Sequence, residues 1–123
     1  MAARLAVRNI TDEEISKLES YFIKVEQELN NKSYKQAFDA GIVLHDFIID
    51  KANNTRLKEV LKNLEAQIKL VASINANMPG RIREAYSEHK EILDALKTRD
   101  QDLAEKAMRK HIKKILESFT KFY

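Results

Sequence analysis

The chain has 123 residues, a formal net charge of +3 and no cysteine. This length fits one domain, and the lack of cysteine excludes thiolate metal sites, disulfides and thiol catalysis. No apolar run reaches the roughly 18–20 residues of a membrane span, and no signal peptide is evident, so we expect a cytoplasmic protein without membrane contact.

The first half of the chain predicts helices. Its first residues form a short helical fragment without an N-cap. A capping box of Thr11 and Glu14 then predicts the start of a long helix. The apolar stripe of that helix consists of Ile15, Leu18, Phe22, Val25 and Leu29. A second capping box, Ser33 with Gln36, predicts the next helix, whose stripe consists of Ala37, Phe38, Gly41, Leu44, His45 and Ile48.

The second half continues the same pattern. Asn54 and Asp100 are predicted N-caps, and Pro79 predicts a break between two helices. The predicted stripes of these helices include Leu57, Val60, Leu64 and Ile68, then Ile82, Tyr86, His89 and Leu93, then Leu103, Ala104, Met108, His111 and Ile115. Short connections make consecutive helices antiparallel neighbours. The prediction is an all-α antiparallel bundle of about six helices, with residues 1–123 forming one domain.

The chain contains three histidines, His45, His89 and His111, and each lies on the apolar face of a different predicted helix. Neutral imidazole is a good ligand for zinc, nickel, copper or iron, and bundle interiors can hold such sites. A buried imidazole without hydrogen-bond partners costs about 1–3 kcal/mol, which argues against incidental burial. Spacing alone leaves two interpretations open: a shared metal site, or three histidines that are each satisfied separately.

Four segments also carry a family resemblance: AARLAVRNIT, LHDFIIDKANNTRL, PGRIREAYSEHKEILDALKTRD and DLAEKAMRKHIKKI. In this order and spacing the chain resembles the FCD domain, the effector-sensing domain of GntR-family bacterial transcription regulators, over nearly its whole length. The resemblance implies a six-helix antiparallel bundle and a homodimer. It also implies, for many members, a divalent metal held by one aspartate and three histidines, with a small carboxylate effector at or beside it. The three histidine positions match His45, His89 and His111.

Gly41 departs from this pattern, because it stands where the resemblance implies the aspartate, four residues before His45 and on the same helix face. We expect the remaining three histidines to hold zinc or nickel more weakly than the full set would. We also expect the glycine to leave space for a larger effector, which makes Gly41 a candidate effector-binding position. An empty site with a metal-free ligand pocket, as in acyl-CoA-sensing members, is the alternative.

Two further residues are candidates for effector binding. Arg81 matches an arginine of the family and could pair with an effector carboxylate through two parallel hydrogen bonds. A surface pairing of Arg81 with Glu84 or Glu88 is an equal alternative. Tyr86 lies three residues before His89 and could line the pocket or fill the core.

The leading functional hypothesis is a ligand-sensing regulatory domain. No segment has the pattern of a winged helix-turn-helix, so we expect contact with DNA only through an N-terminal domain absent from this chain. A purely structural helical module is one alternative, and a metal-dependent hydrolase is another. A hydrolase needs a general base near the metal. Asp46 and Glu88 adjoin histidines in sequence and are expected to point about 100° away around the helix, so we expect no enzyme.

Overall fold

The computed structural model describes residues 2–31, 34–75 and 80–122, with side chains except at 61, 63–65, 68, 71–75, 116 and 118–122. This part of the chain forms six helices: α1 (Ala2–Ala6), α2 (Asp12–Asn30), α3 (Lys35–Lys51), α4 (Thr55–Asn75), α5 (Arg81–Thr98) and α6 (Gln101–Phe122). The predicted all-α bundle of five long helices and a short opening one is confirmed.

The helix starts follow the predicted capping residues. The Glu14 backbone N–H donates to the Thr11 hydroxyl, and the Glu14 carboxylate accepts from the Thr11 backbone N–H, which completes the capping box of α2. The Asn54 side chain accepts the Leu57 backbone N–H at 2.9 Å, and the Asp100 carboxylate accepts two N–H groups in the first turn of α6. The predicted cap at Ser33 and the predicted break at Pro79 lie outside the described residues.

Among the residues whose side chains the structure describes, the core follows the predicted stripes with two exceptions. Every residue of the α2 stripe is buried, as are Leu44 and Ile48 of α3, Leu93 and Leu96 of α5, and Ala104 of α6. Val60 and Leu103 were predicted to face the core, and this was wrong: their side chains are 52% and 44% exposed. Leu103 lies in the first turn of α6, directly before the buried Ala104, so it falls at the edge of the stripe. The burial of Leu64 and Ile68 lies outside the described residues.

The helix α5 packs against α2, α3 and α6, and α3 also contacts α1, α2 and α4. Ion pairs join Lys97 to Glu19 and Lys90 to Glu26, so α5 runs antiparallel to α2. No helix in the described part of the chain has the length and apolar character that crossing a membrane would require. The central place of α5 lets successive residues on it face different neighbouring helices.

Candidate metal centre

The three histidines meet between α3, α5 and α6. The Nε2 atoms of His89 and His111 are 3.0 Å apart, and those of His111 and His45 are 3.2 Å apart. One ligand nitrogen from each ring lies within 4.8 Å of the other two. His89 and His111 are buried, and His45 is partly exposed.

These nitrogen separations match the needs of a metal ion. Two imidazole nitrogens bound to tetrahedral zinc, each about 2.0–2.1 Å from the ion, lie about 3.3 Å apart. The observed 3.0 and 3.2 Å are within a few tenths of that spacing. The three histidines could therefore hold a divalent metal ion and leave further coordination positions open.

The side of His89 that faces α3 rests on Gly41. A Cβ atom on Gly41 would lie 2.9 Å from both Nδ1 and Nε2 of His89, and nearer still to the Cε1 between them. Real Cβ contacts are essentially never that close, so any other residue at this position would displace the ring. The space expected at Gly41 for a larger effector is thus taken by the His89 ring.

The Glu88 carboxylate contacts the His111 ring at Nδ1, the nitrogen that does not face the other histidines. The Nδ1 atom of His111 lies 2.6 Å from Oε1 of Glu88. Both side chains are buried, with 2% and 5% of their surfaces exposed. Glu88 therefore contacts a histidine of the cluster, which the sequence analysis did not foresee. Glu88 does lie about 100° around α5 from His89, but that direction faces α6, where His111 lies.

Asp46 behaves as expected. It is half exposed and pairs with Lys69 at 3.7 Å across α3 and α4. Glu88, the other carboxylate that adjoins a histidine in the sequence, hydrogen-bonds to the His111 ring.

Arg81 completes this chain of contacts. Its two terminal nitrogens donate to the two carboxylate oxygens of Glu88 at 2.8 and 3.0 Å, and its guanidinium is 5% exposed. A weaker contact of 3.4 Å joins it to Glu84. Of the alternatives for Arg81, the pairing with Glu88 is the one present, but it is buried rather than on the surface. The spacing of seven residues, two helical turns, was the signal in the sequence that could have linked the two.

Glu88 and Arg81 stabilise each other's charged forms. Burial raises the pKa of Glu88, but hydrogen bonds from His111 and Arg81 outweigh burial and bring the pKa below its ordinary value. Burial lowers the pKa of Arg81, and the bonds to Glu88 more than reverse this. Glu88 is thus a carboxylate and Arg81 a cation at neutral pH.

His89 has a different environment. Burial, followed by the charges of His111, His45 and Arg81, lowers the pKa of His89 well below 6.5. Its Nδ1 atom is buried without a hydrogen-bond partner. The ring is therefore neutral at physiological pH, as a metal ligand must be.

Tyr86 belongs to the core between α2 and α5. Its hydroxyl donates to the backbone carbonyl of Phe22 at 3.0 Å, and the two rings stack with centroids 5.9 Å apart. Burial, helped by the negative charges of Glu26 and Asp94, raises the pKa of the Tyr86 hydroxyl to about 12. Of its two predicted roles, the core role is the one these contacts describe.

Comparison with known proteins identifies the architecture around these histidines. A sequence model of the FCD domain matches residues 1–114. The chain belongs to the FCD domain family. FCD domains are ligand-sensing regulatory domains of GntR-type transcription regulators, a class that generally lacks enzymatic activity. A search of curated proteins returned no match.

Proposed function

We propose that this FCD domain senses a small carboxylate effector at or beside a divalent metal held by His45, His89 and His111. The observation that carries the proposal is the convergence of the three Nε2 atoms: that of His111 lies 3.0 Å from that of His89 and 3.2 Å from that of His45. Zinc and nickel are among the metals that neutral imidazole ligands bind well, and the spacing is compatible with zinc.

The charge of the site favours an anionic effector. Among the described residues, the metal-ligand cluster contains only the three histidines and no acidic side chain. Glu88 is already balanced by Arg81. A divalent ion would therefore keep its full charge between neutral ligands, and a carboxylate that reaches it would be stabilised by that charge.

The regulatory step is a shift between arrangements of paired domains. An effector can change such an equilibrium only as far as it binds one arrangement better than the other. We propose that the chain works as a cytoplasmic homodimer and reaches DNA through a winged helix-turn-helix domain outside this chain. Effector binding would then change the orientation of the two DNA-binding domains.

The contacts around Glu88 disfavour the hydrolase alternative. A general base must reach the water that the metal activates. Glu88 bonds to Nδ1 of His111, on the side of the ring away from the Nε2 atom that faces the cluster, and its oxygens also accept from Arg81. The His89 ring lies against Gly41, so the space there that a larger ligand would need is occupied.

The test is a titration of chelator-treated protein with zinc and nickel, followed by calorimetry and thermal melting. Metal at about 100 times its dissociation constant should stabilise the fold by about 2.7 kcal/mol. Carboxylates of different chain length should then bind more tightly with metal present than without it, and each should tighten the other by the same factor.

A pair of variants identifies the ligands. His89→Ala should abolish the stabilisation by metal, because it removes one of three ligands. The neighbouring Lys90→Ala should leave it unchanged, because Lys90 is exposed and pairs only weakly with Glu26 at 4.0 Å. Equal melting temperatures with and without metal in the wild type would falsify the metal site.

A further inference from the structure

Three buried side chains form a continuous line that ends at the metal centre. The guanidinium of Arg81 donates hydrogen bonds to both carboxylate oxygens of Glu88, and Oε1 of Glu88 lies 2.6 Å from Nδ1 of His111. The far nitrogen of the same ring, Nε2, lies 3.0 Å from His89 and 3.2 Å from His45. Each residue of this line has 5% or less of its side chain exposed.

Hydrogen-bond chemistry fixes the state of the His111 ring. An ionised carboxylate can only accept hydrogen bonds, so the Nδ1 atom that faces Glu88 must carry a proton. In a neutral imidazole the other nitrogen is then the lone pair. That nitrogen is Nε2, which points toward the other two histidines.

We propose that Glu88 is a positioning residue of the metal centre: it holds the His111 ring in the orientation and tautomer that direct the Nε2 lone pair at the ion. This inference rests on the proposed metal-binding function. Carboxylates that accept the second N–H of a metal-bound histidine fix the ring and raise its basicity, and their loss typically weakens metal binding about 10–100-fold.

Arg81 in turn orients Glu88. A lone carboxylate at this depth would be a buried, unpaired charge, which is strongly unfavourable. Two parallel hydrogen bonds to a planar guanidinium remove that penalty and restrict rotation of the carboxylate plane. Arg81 therefore acts on the metal centre through Glu88 and His111 rather than by contact with an effector carboxylate.

The decisive experiment compares Glu88→Gln with Glu84→Gln in the full chain. Both variants remove one negative charge from α5 near Arg81, but Glu84 is exposed and contacts Arg81 only at 3.4 Å. One amide oxygen cannot serve both Arg81 donors and the His111 N–H. Zinc affinity, measured in competition with a chromophoric chelator, should fall about 10–100-fold in Glu88→Gln and stay within about two-fold of wild type in Glu84→Gln.

A second readout separates positioning from general stability. Long-range proton–nitrogen NMR spectra of the metal-free protein report which nitrogen of His111 carries the proton. Wild type and Glu84→Gln should show the proton on Nδ1, and Glu88→Gln should show a smaller share of that tautomer. A loss of packing alone would lower the melting temperature without changing the tautomer.

The outcomes are distinct. A proton on Nε2 of His111 in the wild type, or unchanged zinc affinity in Glu88→Gln, overturns the inference. If wild type binds no metal, the proposed function fails, while the NMR readout still tests whether Glu88 sets the tautomer. If Glu88→Gln does not fold, Glu88→Asp replaces it: it keeps the charge but withdraws the oxygens from Nδ1, and unchanged zinc affinity and tautomer in it would also overturn the inference.

Discussion

Two sides of the proposed metal centre hold a histidine ring in place by different physical means. On the His111 side, formed by Arg81, Glu88 and His111, the ring is fixed by charged hydrogen bonds of 2.6 to 3.0 Å. On the His89 side, formed by Gly41 and His89, the ring is fixed by shape: it lies against a helix backbone that has no side chain at that point.

The two histidines are the same residue type, but the groups that hold their rings differ. Nδ1 of His111 is satisfied by a carboxylate, whereas Nδ1 of His89 is buried without a partner. The His111 side should therefore respond to changes of charge and hydrogen bonding. The His89 side should respond to changes of volume and to protonation.

The largest effect is expected for Arg81→Met, which leaves the buried Glu88 carboxylate without its cation and with only the His111 N–H as a hydrogen-bond partner. Removing one partner of a buried pair costs about 3–5 kcal/mol. Arg81 is also a cation at the start of α5, where the helix dipole disfavours it, but relief of that effect contributes only about 0.3–1 kcal/mol. Chemical denaturation of the metal-free protein should therefore show a net loss of several kcal/mol.

The matched control is Lys97→Met on the same helix, which removes an exposed cation 3.0 Å from Glu19. Its cost should be below about 1 kcal/mol. The double variant Arg81→Met/Glu88→Leu should recover much of the stability of Arg81→Met, because no buried charge remains. Equal costs for Arg81→Met and Lys97→Met would show that the His111 side is not held by charge.

An intermediate effect is expected for Gly41→Ala on the His89 side. The added methyl would displace the His89 ring, and overpacking of this kind costs about 1–3 kcal/mol. Alanine favours a helix over glycine by about 0.5–1 kcal/mol, so the net loss should lie between about 0 and 2.5 kcal/mol. Zinc binding should weaken about ten-fold or more, since a ligand moves rather than its support.

Val43→Ala is the control for Gly41→Ala. Val43 is 43% exposed on the same helix, so its truncation should change stability by less than about 0.5 kcal/mol. Calorimetric titration of both variants with zinc is the measurement. Wild-type zinc affinity in Gly41→Ala would mean that the His89 ring can bind metal without the space that the missing side chain of Gly41 provides.

The smallest effect is a pH dependence of the metal-free protein. His89 has a pKa well below 6.5 in the folded chain, chiefly because it is buried beside His45, His111 and Arg81. The unfolded chain takes up this proton near pH 6.5, so below that pH it binds more protons than the folded chain. Stability should fall as pH drops below 6.5, by up to about 1.4 kcal/mol per pH unit, with no contribution above it.

The measurement is urea denaturation of chelator-treated protein at pH 7.5 and 5.5. His89→Leu should reduce the difference in unfolding free energy between the two pH values by at most the contribution of one titrating group, because that group is gone. An unchanged difference in His89→Leu would assign the pH dependence to another group.

Local patterns in the sequence predicted most of the fold. The capping box of Thr11 and Glu14 and the caps at Asn54 and Asp100 mark real helix starts, because a cap satisfies backbone N–H groups within a few residues of itself. The buried stripe of α2 also follows from spacing alone. The exposed Val60 and Leu103 show where this fails: a stripe predicts a face, but its edges depend on which neighbour covers them.

The sequence by itself determined that the chain is a helical bundle, that it resembles the FCD family, and that its three histidines are candidates for one metal site. Only the tertiary structure decided that Glu88 supports His111, that Arg81 is bound to Glu88, and that His89 fills the space above Gly41. The physical reason is range. Caps and stripes depend on residues within a turn or two, whereas each of these contacts depends on how one helix is rotated against another, or on which of several nearby partners a long side chain reaches.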